Sequence, residues 1–132
     1  MNDNAIEQEI QAKGLGAPCV TPADIQACIA SEHYFTAGDG LLGEWQYRHD
    51  TEQGATAMEL VPPSLQLLTF CVLVLRNGFT VTGESACASP ENFNAETGRK
   101  IARENAVNKV WMLEGYLLKE RLSNPAPQSA PE

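Results

Sequence analysis

From Leu67 to Arg76 the chain reads LLTFCVLVLR, an almost unbroken run of apolar and β-branched positions, and after Asn77-Gly78 it resumes as FTVTGESA. Two such runs around Asn-Gly predict a β-hairpin with a two-residue type I′ turn, because both central positions of that turn need positive φ. Setting Arg76 opposite Phe79 places Phe70, Val72, Val74, Phe79 and Val81 on one face. Cys71, Leu73, Leu75, Thr80, Thr82 and Glu84 then fall on the other. The first face is wholly apolar and is expected to carry the helices. The second is mixed and is expected to offer a pocket or a partner surface.

After the hairpin the period changes from two to 3.6. Ser89, Pro90 and Glu91 have the order of an N-cap, a first helical position and a first-turn anion, and the helical pattern runs on until Asn124-Pro125. Gly98 and Gly115 weaken this helix, and a break is expected near Gly98. On a helical wheel Ala102, Ala106, Val110, Leu113 and Leu117 form one stripe, and Phe93, Val107, Trp111 and Leu118 a second. Upstream, Thr21, Pro22 and Asp24 open a shorter helix with an apolar edge of Ile25, Cys28 and Ile29. It is expected to end near Glu32 or His33. The glycine-broken stretch that follows reads as irregular, with Leu41 to Tyr47 its candidate strand and His49 to Thr56 a polar loop. Pro62-Pro63 forbids a central strand across that point. Residues 3–13 suggest a short polar helix, ended by Gly14, Gly16 and Pro18.

The expected architecture is therefore α+β. A small antiparallel β-sheet with a central hairpin packs on one short and one long C-terminal helix. Residues 21–122 form a single domain, 1–20 a flexible N-terminal arm and 123–132 a disordered tail.

Composition narrows the function classes. A chain of 132 residues, 43% apolar, is long enough for one core. Nine Lys and Arg face 17 Asp and Glu, a formal net charge of -8. That argues against a nucleic acid polymer as partner, which needs a broad basic face. It leaves room for a small anion held by two or three local cations. No run of about 18 apolar residues predicts a membrane span, and the start MNDNAIEQEIQ has no signal-peptide character. A cytoplasmic location is expected. Cys19, Cys28, Cys71 and Cys87 show no C-x-x-C spacing and read as reduced thiols. His33 and His49 are the only histidines, and neither is spaced with other ligands for a metal site. No nucleophile, P-loop or dinucleotide motif is present. No catalytic residue, metal or cofactor is therefore assigned, and a binding protein is expected rather than an enzyme.

Two cations stand out. Arg99 and Arg103 lie one turn apart and point into the apolar arc of the long helix, beside Ala106 and Val110. A buried arginine needs a carboxylate, a backbone cap or an anionic ligand. One reading is an ion pair, with Glu96 or, across a helix pair, Glu114. The other is a phosphate clamp, in which two guanidinium forks grip one ligand. The pattern leaves both open. Tyr34, Phe35, Trp45 and Tyr47 read as packing residues that could also stack on a base.

The stretch TFCVLVLRNGFTVTGESACASPENFNAETGRKIARENAVNKVWMLEGYLLKERL, with ASEHYFTAGDGLLG before it, resembles a family of small tailed-phage proteins over roughly residues 21 to 122. NGFTVTGES, SPENFNAE-x-GRKIARE-x-A and W-x-LEGYLL carry the resemblance. That family is similar to the Thoeris anti-defence 1 sponges, which bind cyclic ADP-ribose isomers, and in some cases CBASS cyclic oligonucleotides, without cleaving them. The resemblance implies a phage anti-defence protein acting in the host cytoplasm as a homo-oligomer, a dimer or a hexamer, with a cyclic nucleotide signalling molecule as its partner. It implies Arg99, Arg103, Asn92, Phe93 and Phe79 as ligand-binding candidates. The alternative is a phage protein that inhibits a host protein by direct contact through its acidic surface.

Overall fold

The hairpin forms, but around a loop of three residues rather than two. In a computed structural model, which describes residues 3–12, 17–49 and 59–125, Leu75 N–H donates to Phe79 O at 2.8 Å and Gly78 N–H to Leu75 O at 2.9 Å. Arg76, Asn77 and Gly78 make the turn. Gly78 alone takes the left-handed conformation, at φ 89°, and Asn77 Oδ1 accepts from Phe79 N–H at 3.0 Å.

That extra residue shifts the register by one. Leu73 faces Val81 and Cys71 faces Gly83, so Val81 joins Cys71, Leu73 and Leu75 rather than Val72 and Val74. A one-residue slip moves a strand's whole side-chain set to the other face. The expectation that the helices cover Phe70, Val72 and Val74 is therefore overturned. The helices cover the Cys71, Leu73, Leu75 and Val81 face, which holds the core, and the other face is half open.

In chain order the elements are α1 (Asp3–Ala12), α2 (Pro22–Cys28), β1 (Ile29–Thr36), α3 (Ala37–His49), a 3-10 turn (Pro63–Leu67), β2 (Leu68–Leu75), β3 (Thr80–Ala86), a second 3-10 turn (Pro90–Asn92) and α4 (Ala95–Ser123). The three strands form one antiparallel sheet in the order β1-β2-β3. With α2 and the long α4 packed on it, the α+β architecture stands.

Three boundaries differ from the expected ones. The helix opened by Thr21 has the reciprocal cap its sequence announces: Thr21 Oγ1 accepts from Asp24 N–H at 3.1 Å, and Asp24 Oδ2 from Thr21 N–H at 2.9 Å. It stops at Cys28 rather than Glu32 or His33, because residues 29–36 pair with β2 instead. Arg76 of the hairpin turn closes its end: its backbone N–H donates to Cys28 O at 2.9 Å and its side chain to Ala27 O. Tertiary pairing here outweighs local helical spacing.

The second difference is α3. Leu41–Tyr47 is helical, not extended. Thr36 and Asp39 build the same reciprocal cap as Thr21 and Asp24, with bonds of 3.1 and 3.0 Å. The third is the start of α4. Pro90–Asn92 is only a 3-10 turn, and Asn94 caps the helix by accepting from Thr97 N–H at 3.0 Å. Gly98 does not break it. It lies in the first turns, where a side chain would press on Thr69 Oγ1 at 3.1 Å.

Ala102, Ala106, Val107 and Val110 of α4 pack with Ile25 and the inner face of the sheet. The alanines let β3 approach so closely that a Cβ on Gly83 would meet Ala102 O and Ala106 N. Of the expected arm, residues 3–12 form α1. Of the expected tail, Ser123 ends α4, and 126–132 lie outside the described residues, as does most of the expected loop 49–56.

Candidate functional site

At the end of the sheet where β1 passes into α3 and α4 begins, a cavity of about 360 Å³ opens to solvent. That is large enough for a small-molecule ligand. Tyr34, Phe35 and Thr36 bring one wall from β1, and Phe93 brings a second aromatic wall from the entry to α4. Phe35 is fixed by packing on Phe70 of β2, with ring centroids 5.8 Å apart. Polar groups sit between these walls. Thr69 is 3% exposed. Gln66 enters from the 3-10 turn and Asp39 from the first turn of α3.

Arg99, one turn into α4, is the cavity's cation. It is exposed and has no carboxylate partner among the described residues. The N-terminus of α4 opens at the same mouth through Ala95, and its dipole favours an anion there.

Arg103, one turn further on, does not join it. Its Nε donates to Glu32 Oε1 at 2.8 Å and an Nη to Gln26 Oε1 at 3.1 Å, with 32% of each charged side chain exposed. Tyr34 donates to the other oxygen of Glu32 at 3.0 Å. The sequence places no acceptor beside Arg103 on its own helix; β1 supplies one. The expected two-fork clamp is thus divided, with Arg99 at the cavity and Arg103 tied to β1 and α2. Burial, with the bond to Glu32, raises the Tyr34 pKa well above its ordinary value. The hydroxyl remains a neutral donor.

Among the other candidates, Phe93 stands between this cavity and a second of about 290 Å³, which Asn92 lines with Asn94 and Thr97. Phe79 is elsewhere. It is 56% exposed and lines a hollow with Lys109, Met112 and Leu113. The structure therefore brings Arg99, Phe93 and, on Phe93's far side, Asn92 together, and leaves Arg103 and Phe79 outside the cavity. Trp45 stacks on His49 within α3, centroids 4.3 Å apart, and Arg48 pairs with Glu44. Of the aromatics read as packing residues that could stack on a base, Tyr34 and Phe35 line the cavity and Trp45 and Tyr47 do not; Thr36, Asp39, Gln66 and Thr69 carry no such reading from the sequence. The cap pattern Thr36-x-x-Asp39 was the available signal for two of them; nothing local marks Gln66.

Ser31 and His33 project from the open face of β1 with Oγ and Nε2 3.0 Å apart, the spacing of a nucleophile and its base. Neither lines any of the cavities above, and no carboxylate bonds the other ring nitrogen among the described residues. No group of three or more His, Cys, Asp or Glu among the described residues is placed to hold a metal. No described helix is long and apolar enough to cross a membrane.

The model of a phage protein family, described as N4 Gp49/phage Sf6 gene 66, matches residues 20–122. The chain belongs to this family. No curated protein and no solved structure matches it. The part matched by the Gp49/gene 66 family begins just before α2 and ends within the last turn of α4. It contains every residue of the cavity.

Proposed function

We propose that this phage protein is a sponge. It binds a cyclic nucleotide immune signal of the bacterial host, a cyclic ADP-ribose isomer or a CBASS cyclic oligonucleotide, and holds it without cleaving it. It does so in the host cytoplasm, as a homo-oligomer. The resemblance to the Thoeris anti-defence 1 sponges suggests the ligand class. The observation that carries the reading is Arg99, a cation with no carboxylate partner among the described residues, at the rim of a cavity with aromatic walls. A phosphate can take the guanidinium and the α4 N-terminus together, while a base lies against Phe93 or Phe35.

The test is to mix the protein with each signal, remove free ligand, heat-denature the complex and analyse what is released. A sponge releases the signal intact. Release of a product would make the protein an enzyme, and no retained ligand would refute the reading and favour direct inhibition of a host protein. Arg99→Ala should keep the fold and weaken retention by about thirtyfold, ~2 kcal/mol for one lost charge-assisted contact.

A further inference from the structure

Gln66 carries a donor with nothing to donate to. Its Nε2 is shut off from solvent and has no hydrogen-bond partner among the described residues. Its Oε1 accepts from Thr36 Oγ1 at 3.1 Å. On the side of Gly38 there is no room: a Cβ on that glycine would lie 2.5 Å from Nε2. Turning the amide over would let Nε2 donate to the free lone pair of Thr36 Oγ1, which accepts from Asp39 N–H at 3.0 Å; in the orientation observed, Nε2 is the unmet atom. An unmet buried donor is costly. A ligand that meets such a group offsets that cost.

Resting on the sponge reading, we infer that Gln66 is the specificity-determining donor of the cavity: its Nε2 donates to a ring nitrogen or carbonyl oxygen on the edge of a nucleobase held against the aromatic walls. The terminal torsion of a glutamine is soft. An acceptor entering the cavity draws the amide off Gly38 towards Tyr34 and Phe93. The group is neutral, so it contributes to the choice of base and little to the grip on phosphate, which belongs to Arg99. A base edge that offers an amino group at this point meets donor with donor and is rejected.

Two substitutions test this with cyclic ADP-ribose isomers and cyclic oligonucleotides as probes in calorimetry. Gln66→Met removes the donor and fills similar space. Without ligand it sheds the unmet donor but also loses the bond from Thr36 Oγ1 to Oε1, so it should melt within about 4 °C of the unsubstituted protein. A fall well beyond that would mean Nε2 already has a partner, and would overturn the inference. With ligand, Gln66→Met should lose at least about thirtyfold in affinity at every pH. Gln66→Glu presents an acceptor at pH 8 and should lose as much, but should recover towards the unsubstituted affinity near pH 4, where a largely protonated carboxyl again donates. Both variants binding within about threefold of the unsubstituted protein at all pH values would overturn the role of Gln66 and leave the sponge reading standing. An unsubstituted protein that binds none of the probes would overturn both.

Discussion

Arg103 separates what a side chain can do from what it does. Its neighbours on α4 offer no acceptor, so a reading of the helix alone points it at a ligand. In the fold it meets Glu32 and Gln26. Glu32 in turn anchors Tyr34, a wall of the cavity. Arg103→Ala would leave the Glu32 carboxylate half covered and served only by Tyr34. The loss should be about 1 kcal/mol, modest because the pair is a third exposed. In a domain of this size that lowers the melting temperature by about 3–5 °C. Adding Glu32→Gln should return part of it. Affinity should fall much less than in Arg99→Ala. Full stability with abolished binding would instead put Arg103 on the ligand.

At the scale of elements, the legible parts were those announced by local chemistry. Thr21-Pro22 with Asp24 marked α2, Asn77-Gly78 marked the hairpin, and the Ala102, Ala106, Val110 stripe marked the buried face of α4. What was illegible depended on partners. Ile29 to Thr36 has spacing compatible with either period, and only pairing with β2 makes it a strand. Gly38, Gly40 and Gly43 masked α3, although Gly38 is there to clear Gln66 and Gly40 lies beside Phe35. The turn was located correctly but given one residue too few, which reversed the faces of β3. Of the site, Arg99 and Phe93 were legible as a cation and an aromatic near a helix start. Gln66 was not, because its role comes from Thr36 and Gly38, some thirty residues away in sequence. The close seating of β3 on α4 offers a direct check. Gly83→Ala should cost about 2–4 kcal/mol, or prevent folding, since backbone on both sides must give way. Urea unfolding monitored by circular dichroism reads the loss. A change under about 0.5 kcal/mol would contradict the observed register.

At the scale of the whole molecule, apolar surface remains uncovered. Met112 is 75% and Tyr116 72% exposed on α4, and Phe70, Val72 and Val74 are only half buried on the open face of the sheet. The sponge reading expects a homo-oligomer, and light scattering across micromolar concentrations should give at least a dimer mass; a monomer mass throughout would refute that part of it. The joints between elements bear on how such a chain can change. Cys28 ends α2 and Ile29 opens β1; Thr36 ends β1 and Ala37 opens α3. With no linking residue at either joint, an inserted residue has nowhere to loop out. Unless it is taken up as a bulge, as happens between Ile29 and Ser31, it turns α2 by about 100° or reverses the faces of β1, removing Glu32 from Arg103 and Tyr34 from the cavity. Length changes are admissible between β3 and α4, where the 3-10 turn Pro90–Asn92 and the irregular residues beside it can absorb them, and are far more costly between Thr21 and Asp39. The spacing of those two capping boxes is thus a ruler built into the chain, one by which distant relatives can be recognised after their side chains have drifted.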